Sequence, residues 1–222
     1  KGALIGTAIG ALLLGPLAIY SVFAMAYLWR RPLRRAVARL PLGPRTTLAV
    51  LIIAVGLLRE TLTWASEYVQ GDQFVMLWRP QLVPTLLISL GLYAAWALGW
   101  SAALWWYRYR LGEVLLIQAV FGLVADRLGQ TMLAGLATMP FGLFLWLHAM
   151  VVSAATLGVA WLLAGDTLAR LPDRPADGAF RYASPALLTG VSMMLIFMVW
   201  GPLLGYLEVV PDPAPIRDRP FW

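Results

Sequence analysis

The chain has 222 residues, 61% of them hydrophobic and 13% charged, with a mean hydropathy of +0.76. A soluble domain of this length carries about a quarter charged residues, so a water-facing globule is excluded and most of the exterior must meet hydrocarbon. The formal charge of +6 would suit nucleic acid, but Arg30, Arg31, Arg34, Arg35, Arg39 and Arg45 crowd into one loop between apolar segments, the pattern of a cytoplasmic loop that also touches anionic headgroups.

Six apolar segments follow in chain order, each near the twenty residues a helix needs to cross hydrocarbon. The first, residues 3–29, opens with Gly2, Gly6 and Gly10. Spacing of four puts these glycines on one helix face, where a second backbone can come close. That contact serves either the protein's own bundle or another membrane subunit or second copy. The basic loop 30–46 leads to the second segment, 47–66, which carries Arg59-Glu60 about thirteen residues in, about 20 Å along a helix.

Residues 67–82 form a non-cytoplasmic loop, with Phe74, Met76, Leu77 and Trp78 suited to lie along the interface. The third segment, 83–107, ends in Trp105, Trp106 and Tyr107, an interfacial aromatic cluster. The fourth, 113–138, carries Gln118, Asp126-Arg127 and Gln130, and begins at Glu113, whose carboxylate suits a helix N-terminus. Only Met139-Pro140 and nearby glycines separate it from the fifth, 141–165, which carries the single His148. A re-entrant pair of half-helices broken near Asp126, plus one crossing, is the competing arrangement. A loop at 166–184 precedes the sixth segment, 185–207, with Gly201 and Gly205 beside Pro202. The tail 211–222 is rich in proline.

Arginine placement favours six crossings. Arg108, Arg110, Arg170, Arg174 and Arg181 then join the first six on the cytoplasmic side, leaving Lys1, Arg79, Arg217 and Arg219 opposite. The expected fold is an all-α integral membrane protein, a single bundle of about six transmembrane helices with both termini non-cytoplasmic. Basic residues that are arginine except for Lys1, with abundant alanine, leucine and glycine, suggest a prokaryotic plasma (inner) membrane.

The costly feature is charge at membrane depth, where each ionised side chain costs about 2.5–3.5 kcal/mol on insertion scales. Pairing Arg59 with Asp126 and Glu60 with Arg127 would neutralise all four between two helices. Gln118 and Gln130 extend the polar stripe of the fourth segment inward. His148 fits a packed, hydrogen-bonded residue or an axial ligand to a heme or chlorophyll-type pigment. The absence of cysteine excludes disulfides and thiolate chemistry, and no metal site is expected. No HExxH, nucleophile elbow, P-loop or dinucleotide fingerprint is present.

Three function classes remain. One is a non-catalytic accessory or scaffold subunit of a larger respiratory, photosynthetic or transport assembly, resting on the glycine zipper and the neutral charge cluster. The second is a small transporter or channel using Glu60, Asp126 and Gln130. The third is a membrane-embedded enzyme acting on a lipid or isoprenoid, with His148 or an unpaired acid at the base of a cleft.

Overall fold

The computed structural model describes residues 18–70, 79–125, 129–172, 178–210 and 215–222. These residues form eight helices and no strand, because an apolar stretch surrounded by hydrocarbon must satisfy its own backbone hydrogen bonds. α1 (Ala18–Leu28) and α2 (Arg30–Ala38) precede α3 (Pro44–Gln70), α4 (Leu82–Trp106) and α5 (Leu111–Ala125). Then come α6 (Gln130–Ala137), α7 (Gly142–Leu168) and α8 (Phe180–Tyr206). Four stretches, Pro44–Val69, Leu82–Trp106, Gly142–Leu168 and Phe180–Tyr206, are long and apolar enough to cross a membrane, and Leu111–Ala125 is a shorter apolar helix.

Local chemistry sets the ends. Pro44 opens α3, where its missing N–H leaves no gap. Tyr107 turns extended (φ −132°, ψ 150°) and stops α4. Glu113, in the first turn of α5, accepts the Arg110 backbone N–H at 2.6 Å, the glutamate half of a capping box at a helix start. The basic loop expected at 30–46 contains α2, whose arginines surround a helix with no buried residue. The second segment continues four residues beyond its expected end, to Gln70.

The fourth segment is not one continuous helix. α5 is described as far as Ala125, and Gly129, in the left-handed conformation (φ 83°), caps a new helix, α6, that starts at Gln130. Both pieces run antiparallel to α7. Leu115 lies against Gly158 and Gly122 against Ser153, while Gly135 meets Gly142 and the Trp146 indole donates to the Met132 carbonyl at 3.0 Å. α6 therefore continues along α7 in the direction of α5 instead of doubling back.

Neighbours along the chain alternate in direction. Arg45 reaches Leu104 while Arg59 reaches Tyr93, so α3 and α4 are antiparallel. Trp200 donates to Leu87 while Gly99 abuts Thr189, so α4 and α8 are too. α7 is the hub, packing on α1, α2, α3, α5 and α6. Its C-terminal half meets Tyr93, Trp100, Val114 and Ile117 in the main apolar core, where Trp100 stands edge-on to Tyr109 and Trp161 at 5.6 and 5.4 Å.

The two ends of the bundle differ. At one end Arg34 binds the Leu162 carbonyl, Arg45 stacks 3.8 Å over Trp105, and Arg181 binds the Arg108 carbonyl. At the other, the last described stretch, 215–222, packs against the start of α4 and against α3. The carbonyls of Pro220 and Phe221 accept the N–H groups of Leu82 and Val83 at 3.0 and 3.1 Å, covering donors that a helix start leaves without partners. Phe221 also packs on Trp64 at 5.6 Å.

Candidate functional site

The charged dipeptide of α3 is closed by a residue from α4. Glu60 is 5% exposed, and the Tyr93 hydroxyl donates to its Oε1 at 2.6 Å. Arg59 Nη1 donates to the same hydroxyl at 3.2 Å and lies 3.7 Å from Glu60 Oε1. One turn earlier, Gly56 leaves room for the Tyr93 ring, which a Cβ at that position would strike. Gly56 and Glu60 sit four residues apart on one face, so the first seats the ring and the second receives its hydroxyl. The result is a compact anion–phenol–cation group that compensates the desolvation of a buried carboxylate.

Asp126 and Arg127, expected to pair with Arg59 and Glu60, lie outside the described residues. The helix leading to them, α5, has its main contacts on α7 and α8, whereas α3 packs chiefly on α4 and α7. The two polar residues flanking the break diverge. Gln118 is 1% exposed and its Oε1 accepts the Trp100 indole N–H at 3.2 Å. Gln130 is exposed at the head of α6. The left-handed turn at Gly129 resets the helical phase, so the spacing between these residues no longer assigns them to one face.

His148 is partly buried on α7, with its Nδ1 3.2 Å from the Tyr20 hydroxyl of α1. It links two helices through one polar contact. Gly201 and Gly205 are exposed on α8, and a Cβ added to either would meet no described atom within 4 Å. Gly2, Gly6 and Gly10 lie outside the described residues. Among the described residues, no three carboxylate or imidazole side chains converge in a way that would hold a metal ion.

A second polar cluster sits at the arginine-rich end. Glu113 Oε2 accepts both the Arg110 N–H and Arg181 Nη2, the latter at 2.9 Å. Arg181 also donates to the Arg108 carbonyl at 2.7 Å. Tyr109 donates to the Arg181 carbonyl at 3.0 Å and lies 3.3 Å from Ser184 Oγ. These bonds tie the α4–α5 turn to the start of α8. Burial pushes the Tyr109 phenol up to about 12, against the smaller opposing effects of Ser184 and Arg181.

Nothing in the sequence singles out Tyr93 or Gly56, and Arg34 stands there only as one of six arginines of the basic loop. A glycine four residues before an intramembrane glutamate was the available signal for an aromatic lid, but it did not name the aromatic. Compared with known families, curated proteins and solved structures, the chain has no match.

Proposed function

We propose that the chain is a six-crossing, non-catalytic accessory or scaffold subunit of a larger membrane complex, with respiratory, photosynthetic and transport assemblies as candidate hosts. In this reading it sits in a prokaryotic plasma membrane with the arginine-rich end in the cytoplasm. The observation that carries it is the closure of Glu60 by Tyr93 and Arg59. A carboxylate held by a phenol and a guanidinium fixes the register of α3 against α4, whereas turnover or ion passage needs a group that can be reached and released. The open surface at Gly201 and Gly205 adds support, since these glycines make no close contact for the described bundle and suit the approach of a foreign helix. The interrupted α5–α6 segment, lying along α7 from Gly142 to Gly158, supports the count of six crossings.

The test is purification from the native membrane in a gentle detergent, followed by native mass spectrometry and an absorption spectrum. Stoichiometric partner subunits, lost in a folded Gly201→Leu/Gly205→Leu variant, are expected. A colourless chain without partners would overturn the reading.

A second reading, a small transporter or channel, draws on the break between Ala125 and Gln130. Discontinuous membrane helices commonly frame a substrate site, and Asp126 lies in the sequence between α5 and α6. Flux in proteoliposomes that disappears in a folded Asp126→Asn variant would establish that reading over the first.

A further inference from the structure

At the arginine-rich end, a cavity of ≈ 160 Å³ opens between α2, the α4–α5 turn and the C-terminal turns of α7. Arg34 and Arg108 line it together with Tyr109, Trp161, Leu168 and Leu171. Arg34 is held in place before any ligand arrives. Its Nε donates to the Leu162 carbonyl at 2.6 Å, and its Nη1 lies 3.6 Å from the half-exposed Asp166 carboxylate. Gly165 makes this pose available, since a Cβ there would stand 2.8 Å from Arg34 Nη2.

We propose that this cavity binds the phosphate of an anionic phospholipid. A guanidinium is the planar, multiply donating group that phosphate oxygens match best, and two arginines, Arg34 and Arg108, line this cavity. The leucine and tryptophan wall suits the glycerol and first acyl carbons better than it suits a fully hydrated free ion. Basic pockets between membrane helices at the headgroup level are where such lipids are recognised. The neighbouring arginines of α2, Arg31 and Arg35, are exposed and do not line the cavity. They supply a built-in comparison between a site and a diffuse positive surface.

The experiment is native mass spectrometry of the detergent-purified chain titrated with phosphatidylglycerol, cardiolipin or phosphatidylcholine. One anionic lipid should remain bound while phosphatidylcholine does not. Arg34→Gln/Arg108→Gln should weaken retention by roughly tenfold, as expected for loss of charge-assisted bonds, and Arg31→Gln/Arg35→Gln should leave it unchanged. Because Arg34 also ties α2 to α7, Leu171→Trp provides a second variant that fills the cavity with both arginines kept, and it too should release the lipid. Equal retention of phosphatidylcholine would overturn the proposal. So would equal loss in the Arg31/Arg35 variant, or unchanged binding in Leu171→Trp. Displacement of the lipid by millimolar inorganic phosphate would instead assign the site to a soluble anion.

Discussion

Both halves of α7 are apolar, yet they have opposite fates. Leu143, Phe144, Leu145 and Leu147 are exposed, while Leu157, Val159, Ala160, Trp161 and Ala164 are buried. Large side chains crowd the exposed half. The buried half interleaves Ala154, Ala155, Gly158, Ala160, Ala164 and Gly165 with its larger residues. In water the large apolar residues would mark the core. In hydrocarbon the solvent is as apolar as leucine, so burial follows the small residues that let helices approach and pack.

The sharpest test of this contrast uses one residue type at two places on one helix. Leu157→Ala, at a site with 0% exposure, should cost about 2–4 kcal/mol in unfolding from mild detergent, because a cavity remains. Leu147→Ala, at a site 59% exposed, should stay within about 0.5 kcal/mol. Equal losses would mean that apolar character, and not packing, governs this fold.

Glycines extend the comparison to α4 and α8. A Cβ at Gly99 would run into the backbone of Thr189, whereas one at Gly201 meets nothing. Gly99→Ala should therefore destabilise by about 1–3 kcal/mol through overpacking. Gly201→Ala should be neutral or stabilising by about 0.5–1 kcal/mol, from helix propensity alone. Both values are readable from thermal unfolding of the detergent-solubilised chain.

Tyr93→Phe probes the polar part of the packed region. It removes the hydroxyl between Glu60 and Arg59 and should cost about 1–2 kcal/mol, since a buried acceptor loses its donor. A companion Glu60→Gln change keeps an acceptor for the hydroxyl and should cost less. The reverse order in unfolding experiments would show that charge, and not the hydrogen bond, holds α3 to α4.

The smallest effect is spectroscopic. Subtracting the alkaline titration of Tyr109→Phe from that of the parent chain should reveal one phenol ionising near 12 instead of the ordinary 10. The folded state holds this proton more tightly than the unfolded state. Its stabilisation is thus complete below pH 10 and lost as the pH rises through about 12. A difference curve centred at 10 would place Tyr109 in water and separate the α4–α5 turn from α8.

Composition and the spacing of apolar runs were enough to read a helical membrane protein and the approximate places of its long helices. In hydrocarbon the backbone is satisfied only in helices or a closed barrel, and continuous apolar runs of about twenty residues, without ten-residue alternation, choose helices. Glu113 was legible as a helix-start carboxylate because Arg110, whose N–H it accepts, is next to it in sequence, whereas its second partner, Arg181 on α8, was not. The partner of Glu60 was not legible. Tyr93 lies on another helix, and only the room above Gly56 brings its ring there. Nor could spacing place Gln118 inward and Gln130 outward, because the turn at Gly129 breaks the helical count between them. The sequence by itself determined what depends on neighbours along the chain and on solvent at large. Only the tertiary structure decided which apolar face meets protein, because a bilayer removes the difference in polarity that would have written the answer into the pattern.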